Sequence, residues 1–205
     1  MVLPQIYRKS SLAVASYDWL DYTAGVGYKR FLGAGAIDST GVTLFLTNKV
    51  LESATNDGST RAIWTAGEDI DLNFDITFGV PAVVGGGDAF LTFTVSKPAN
   101  TGGNAVINLY HVDLAAAETS IGTKTTRTYA VTGGGEYYRE TIVIPITKKA
   151  FAIGEKLRLS ITFTTDAGDS ITMYHDPDTF LTFTDTASRT IGSDLKLEMP
   201  FVIEI

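Results

Sequence analysis

Cysteine is absent from the 205 residues, which excludes a disulfide framework, zinc–cysteine sites and thiol catalysis together. Histidine occurs only twice, at His111 and His175, too few to build a three-histidine metal site. Charged residues make up 19% of the chain, below the usual quarter, and with 44% hydrophobic residues this excludes a disordered polyelectrolyte and a coiled coil. Long apolar runs are missing as well. No stretch approaches the roughly 18 residues of a membrane-spanning helix, so no membrane association is expected. Nor is a secretory leader evident, since Arg8 and Lys9 precede only the weakly apolar Ser11–Ser16 segment. Basic residues are outnumbered, giving a net charge of −7, and a nucleic-acid partner is not expected because phosphate binding draws on lysine and arginine. The deficit is uneven: the first forty residues are nearly neutral, and the negative excess lies in the rest.

What is present is a period of two. From Asp69 to Phe78, Ile70, Leu72, Phe74, Ile76 and Phe78 alternate with Asp71, Asn73, Asp75 and Thr77, which puts the apolar set on one face of a strand. Ala89 to Val95, Lys156 to Phe163 and Leu195 to Ile205 read the same way. Further strands are expected over Val42–Thr47, Val106–Leu114, Thr126–Thr132, Tyr138–Thr147, Ser170–Tyr174 and Phe180–Thr184. Abundant threonine favours such half-buried strands.

Glycine-rich breaks at Asp57-Gly58, Gly85–Gly87, Gly102-Gly103, Gly133–Gly135 and Ala167-Gly168 supply turns between them. Asp166–Asp169 is read as a hairpin turn joining Ile161–Thr165 to Ser170–Tyr174. Only Asp113–Ser120 could hold a helical turn. About ten strands in one domain predict an all-β fold, a two-sheet jelly-roll-like β-sandwich with an irregular N-terminal segment; a closed barrel is the alternative. Residues 1–30 form the N-terminal arm or peripheral segment and 31–205 the sandwich domain. The repeated Phe90-Leu-Thr-Phe-Thr94 and Phe180-Leu-Thr-Phe-Thr184 have unlike flanks and indicate no duplication.

Catalytic and ligand motifs fail at the residue that carries the mechanism. Gly25-Val-Gly27-Tyr-Lys-Arg30 has arginine where a dinucleotide fingerprint needs its third glycine. Gly168-Asp169-Ser170 resembles an esterase nucleophile motif but lacks the Asp-x-x-His partner, because Thr172 stands three residues before His175 and no histidine follows. Asp69-x-Asp71-x-Asn73-x-Asp75 opens like a calcium loop, yet Phe74 and Val80 occupy its glycine and glutamate places, and a strand spreads these carboxylates over about 20 Å. Asp166, Asp169, Asp176 and Asp178 are left as a loop-based calcium alternative. His111 reads as a half-buried or surface strand histidine and His175 as part of a His-Asp-Pro-Asp turn. A glycosidase needs two carboxylates at a set separation, and the sequence singles out no pair. No catalytic residue, cofactor or resident metal is therefore expected.

The block Tyr17-Asp-Trp-Leu-Asp-Tyr-Thr-Ala-Gly-Val-Gly-Tyr-Lys-Arg-Phe31, with Gly33-Ala-Gly-Ala-Ile-Asp38 and Thr43-Leu-Phe-Leu-Thr47 after it, resembles the N-terminal part of uncharacterised structural proteins of tailed phages. Phe151-x-x-Gly154-x-x-Leu157-x-Leu159 and Tyr174-His-Asp-Pro177 are similar to the same group. The resemblance implies a non-enzymatic virion protein with a jelly-roll sandwich, a capsid decoration or auxiliary (cement) protein that binds the major capsid protein and itself, often as a homotrimer. It implies a place on the capsid surface after assembly in a host cytoplasm. Tyr17, Trp19, Tyr22 and Tyr28 are the candidate partner contacts, since aromatics with polar tips anchor interfaces; packing against their own domain is the competing role. The terminal strand from Leu195 must pair, within its own sheet or along a neighbour's edge. The alternatives are a carbohydrate-binding module or receptor-binding tip, using Trp19, Trp64 and the tyrosines as stacking platforms, and a glycan-active enzyme.

Overall fold

The computed structural model describes residues 26–38, 41–48, 61–65, 71–97, 103–126, 136–165, 170–175, 182–184, 190–192 and 194–202. Within them the chain forms strands and turns and no helix. The strands are β1 (Val26–Asp38), β2 (Gly41–Thr47), β3 (Arg61–Thr65), β4 (Asp71–Thr77), β5 (Ala82–Val84), β6 (Gly87–Lys97), β7 (Gly103–Val112) and β8 (Glu118–Thr125). They continue with β9 (Glu136–Ile146), β10 (Lys149–Phe151), β11 (Lys156–Thr165), β12 (Ser170–Tyr174), β13 (Thr182–Thr184), β14 (Thr190–Gly192) and β15 (Lys196–Val202).

The all-β expectation holds, and hydrogen bonding closes nine of these strands into a barrel, the alternative set beside the sandwich. Around the ring the order is β15, β1, β2, β4, β11, β7, β8, β9 and β6, with β6 returning to β15 through Lys196↔Thr92, Leu197↔Leu91 and Glu198↔Phe90. Two seams are thin. β2 meets β4 in parallel at Phe45↔Asp75, and β8 meets β9 at Gly122↔Ile146. The β5–β10 pair hangs from β15, the β12–β3 pair from β6, and β13–β14 form a separate ribbon.

The period of two fills the interior. Leu157, Leu159, Ile161 and Phe163 of β11 face Leu72 and Phe74 of β4 and Ile107 and Leu109 of β7 in one continuous core. Leu91 and Phe93 of β6, Ile144 of β9, and Leu197 and Met199 of β15 close it from the other side. Each such side chain removed from water contributes about 1.5–3 kcal/mol, so this packing is the main term holding the barrel shut. One end is plugged by aromatic rings: Phe31 and Phe201 lie 6.0 Å apart, Phe201 and Phe78 6.1 Å, Phe78 and Phe151 4.8 Å, and Phe151 and His111 5.0 Å. Lys29 Nζ stands 5.5 Å from the Phe31 ring centre at the rim of this plug.

Several connections differ from the sequence reading. Asp113–Ser120 is not helical. Asp113 accepts from the Ala116 amide, Ala116 takes φ 64°, Ala117 accepts from the Asp113 amide, and β8 starts at Glu118. This is a three-residue hairpin loop with a left-handed third position, and the Asp113 carboxylate tightens it by accepting from the amides of Ala115 and Ala117 at 2.8 Å. Of the strand placed at Thr126–Thr132, Thr126 lies just past β8 and the remainder lies outside the described residues.

Ile161–Thr165 and Ser170–Tyr174 are strands, but they do not form a hairpin. Both edges of β11 are taken, by β4 and β7, so the chain crosses over and β12 pairs with β6 and β3 instead. β1 begins at Val26, inside the segment set apart as residues 1–30. The terminal strand pairs within its own barrel, with β1 along one edge and β6 and β5 along the other.

Candidate functional site

Of the four aromatic contact candidates, Tyr17, Trp19 and Tyr22 lie outside the described residues. Tyr28 sits on β1 with its ring 5.7 Å from Phe90, and its hydroxyl donates to the Asp88 carbonyl at 3.1 Å. It therefore reaches across β15 to β6 while 50% of it stays exposed, on the outer wall beside the Arg30–Glu198 ion pair. Trp64 takes a place in β3 opposite Ile171.

The acidic strand face is organised by cations of the protein itself. Arg158 grips Asp75 with two bonds of 2.7 Å and reaches Glu118 Oε1 at 2.5 Å, Lys156 Nζ stands 3.6 Å from Asp75, and Thr162 donates to Asp71. The hydrogen bond to Asp75 raises the Arg158 pKa further above its ordinary value despite partial burial. Asp71 and Asp75 are thus spread along β4, as the alternation requires, and Asp75 is neutralised from β11. The loop carboxylates Asp166, Asp169, Asp176 and Asp178, and Gly168-Asp169, lie outside the described residues. Among the described residues no group of three or more His, Asp or Glu is arranged around a common point that could hold a metal.

Two further clusters escaped the sequence reading. On the outer face of β6 and β9, Asp194 is 2% exposed and bonds Arg139 Nη2 and Lys196 Nζ, both at 2.8 Å, while Arg139 also reaches Thr94 Oγ1 at 3.3 Å. Burial alone would raise the Asp194 pKa, but the hydrogen bond from Lys196 and the charge and bond of Arg139 outweigh it and hold the carboxyl below its ordinary value.

The second cluster lies at the plugged end. His111, read as half-buried or on the surface, is buried, and its Nε2 is 2.8 Å from Glu155 Oε2. The same oxygen accepts from the Ala152 amide at 2.7 Å. The amide of Gly154 donates to the Phe78 carbonyl, that of Phe78 to the Glu155 carbonyl, and the Leu114 side chain packs onto Gly154. Three turns, at Phe78–Pro81, Asp113–Ala117 and Ala152–Glu155, are thereby drawn together. Each carries one large apolar side chain into solvent: Val80 is 68% exposed, Leu114 74% and Ile153 61%.

His175, whose neighbours Asp176–Asp178 are not among the described residues, is buried edge-on to Phe74 at 5.5 Å. Burial pushes its pKa down to about 4, so it is a neutral ring. Among the described residues no nucleophile or acid bonds to it, and its Nδ1 has no hydrogen-bond partner.

No protein-family model matches the chain, and no curated protein matches it. Solved structures do. A CocE/NonD family hydrolase from Staphylococcus aureus superposes with a TM-score of 0.60 at 13% identity over 86% of this chain and 36% of that one. A second structure of that hydrolase gives 0.57 at 12% identity, covering 86% and 37%. An aminopeptidase from the marine sediment archaeon Thaumarchaeota archaeon gives 0.57 at 7% identity, covering 87% of this chain and 37% of its own. The likeness is one of fold. This chain spans little more than a third of the length of those proteins.

Proposed function

We propose that the chain is a non-enzymatic virion structural protein, a capsid decoration or auxiliary protein that binds the major capsid protein at the virion surface and assembles with copies of itself, as a homotrimer. The observation that carries this reading is where the apolar surface goes. The barrel interior is filled by the chain's own side chains, with Phe31, Phe74, Phe93, Phe151 and Phe163 all buried, whereas Val80, Leu114 and Ile153 project from one end. A filled barrel offers a partner its outer wall and loop tips. Apolar side chains gathered on exposed tips suit protein contact.

Several of the described residues that carry the phage resemblance suit such a scaffold. Gly33 packs against Leu195, Phe151 belongs to the aromatic plug, Gly154 has φ 87° in the turn after β10, and Leu157 and Leu159 are core. With this function goes a finer architecture: two facing sheets of the jelly-roll kind, β9–β6–β15–β1–β2 and β4–β11–β7–β8, joined at the thin seams Phe45↔Asp75 and Gly122↔Ile146.

Mass spectrometry of purified particles tests the proposal. Many copies per virion are expected, and absence, or one or two copies, overturns it. The superpositions favour a second reading, a β-rich unit belonging to a larger hydrolase. Ester or peptide hydrolysis that depends on this chain, together with its absence from particles, would establish that reading in place of the first.

A further inference from the structure

The contacts of Glu155 reach beyond the turn that contains it. An ionised carboxylate only accepts, so the 2.8 Å contact places the imidazole proton of His111 on Nε2. Nδ1, on the other side of the ring, is buried beside Phe151 and has no hydrogen-bond partner among the described residues. The Ala152 amide completes the pair of donors on Oε2. One carboxylate therefore ties the Ala152–Glu155 turn both to itself and, 44 residues away in sequence, to β7.

The turn, whose Glu155 amide also donates to the Ala152 carbonyl at 3.2 Å, carries one of the apolar tips. Gly154 sits at φ 87°, its amide bonds the Phe78 carbonyl at 2.9 Å, and Leu114 rests on it, so the placement of Ile153, Leu114 and Val80 depends on the turn staying closed. We infer that His111 and Glu155 form an acid-released latch, which holds the three apolar tips together while Glu155 is ionised and frees them when it is protonated.

Among the described residues the charged surroundings are sparse. Lys149 of β10 faces the carboxylate and favours its ionised form. The Phe78–Pro81 turn brings no titratable group, and Asp113 is turned away to the amides of Ala115 and Ala117. The Ala152 amide, then His111, hold the Glu155 pKa below its ordinary 4.5 against the small opposing effect of burial. Because the folded value is depressed, the latch is fully closed above that ordinary value and opens as pH falls through the lower, folded one.

Amide exchange and ¹H–¹⁵N spectra of the intact chain, from neutral to acid pH, test the latch. The Ala152 amide resonance is expected to titrate with a midpoint below 4.5. Protection of the Ala152 and Gly154 amides should fall roughly tenfold or more, while Leu109 and Ile161 in the core keep theirs. Glu155→Gln should show weak turn protection already at neutral pH with no acid step. His111→Phe, which keeps a ring on Phe151 and removes the Nε2 donor, should move the midpoint upward. Turn amides that stay protected in acid, a Glu155→Gln variant that behaves like the parent, or core amides that lose protection together with the turn would each overturn the latch.

Discussion

Gly122 faces Ile146 across the one paired position of the β8–β9 seam, so close that a β-carbon at 122 would stand 2.7 Å from Ile146 Cγ2 and 2.9 Å from the Pro145 carbonyl oxygen. The Thr147 amide, bonded to the Ile121 carbonyl at 2.8 Å, pins the strands at that distance. The barrel closes here because residue 122 has no side chain.

Gly122→Ala should therefore destabilise the protein by about 1–3 kcal/mol, the range for overpacking against atoms that cannot move aside. Gly86→Ala is the control, since its added carbon meets nothing nearer than 3.7 Å and should change stability by less than about 0.5 kcal/mol. Urea unfolding of the two variants beside the parent gives both numbers. Equal stability of all three would mean that the seam is not tightly packed.

Ala116 and Gly154 make a matched pair of turn positions. Ala116 holds φ 64° with a side chain, in a conformation that disfavours L-residues by about 1–2 kcal/mol, whereas glycine holds φ 87° at position 154. Ala116→Gly should stabilise by roughly 0.5–1 kcal/mol after glycine's greater loss of freedom is set against the relief. Gly154→Ala should destabilise by about 1 kcal/mol or more, because backbone strain is joined by a 2.9 Å contact with Leu114. Opposite shifts of the thermal midpoint are the expected result.

The strands that could be read from the sequence are those with one face in the core and one in solvent. β4 and β11 alternate Leu72, Phe74 and Leu157, Leu159, Ile161 with polar residues because the barrel wall has two different sides. β1 hides its period behind Gly33-Ala34-Gly35-Ala36, small residues that leave no contrast. β8 buries only Ile121 of its eight residues and so shows no alternation. Turn chemistry misled at Asp166–Asp169, because composition marks a reversal without revealing that both edges of β11 are occupied. The clusters were hidden for the same non-local reason. Arg139 and Asp194 are 55 residues apart, and Val80, Leu114 and Ile153 come from three separate turns, each ordinary in isolation.

Asp194 is the anchor of the outer-wall cluster, so Asp194→Asn would remove the carboxylate that Arg139 and Lys196 share. Both cations keep part of their surface in water, which lowers the loss below the 3–5 kcal/mol of a fully buried pair to about 1–3 kcal/mol. The folded carboxyl titrates below its ordinary 3.8, so its stabilisation is complete above that value and is lost as pH falls through the depressed one. Denaturant midpoints measured from neutral to strongly acid pH should show the parent and Asp194→Asn curves converging in acid. Curves that stay parallel would remove Asp194 from the account of acid stability.

His175 governs a different pH window, with the opposite kind of group. Its folded pKa of about 4 lies below the ordinary 6.5, so between those values the unfolded chain binds a proton that the folded barrel refuses. Stability should therefore be full above 6.5 and decline as pH falls towards 4, at about 1.36 kcal/mol per pH unit and by up to about 3 kcal/mol in all. This fall precedes the carboxylate losses, which belong to lower pH. His175→Leu removes the ionisation and should flatten the stability curve across this window, even if the substitution lowers the whole curve through altered packing on Phe74. The readout is the slope of unfolding free energy against pH, which separates the two effects because packing shifts height and titration sets slope. A variant that keeps the parent's slope between 4 and 6.5 would show that another group takes up the proton.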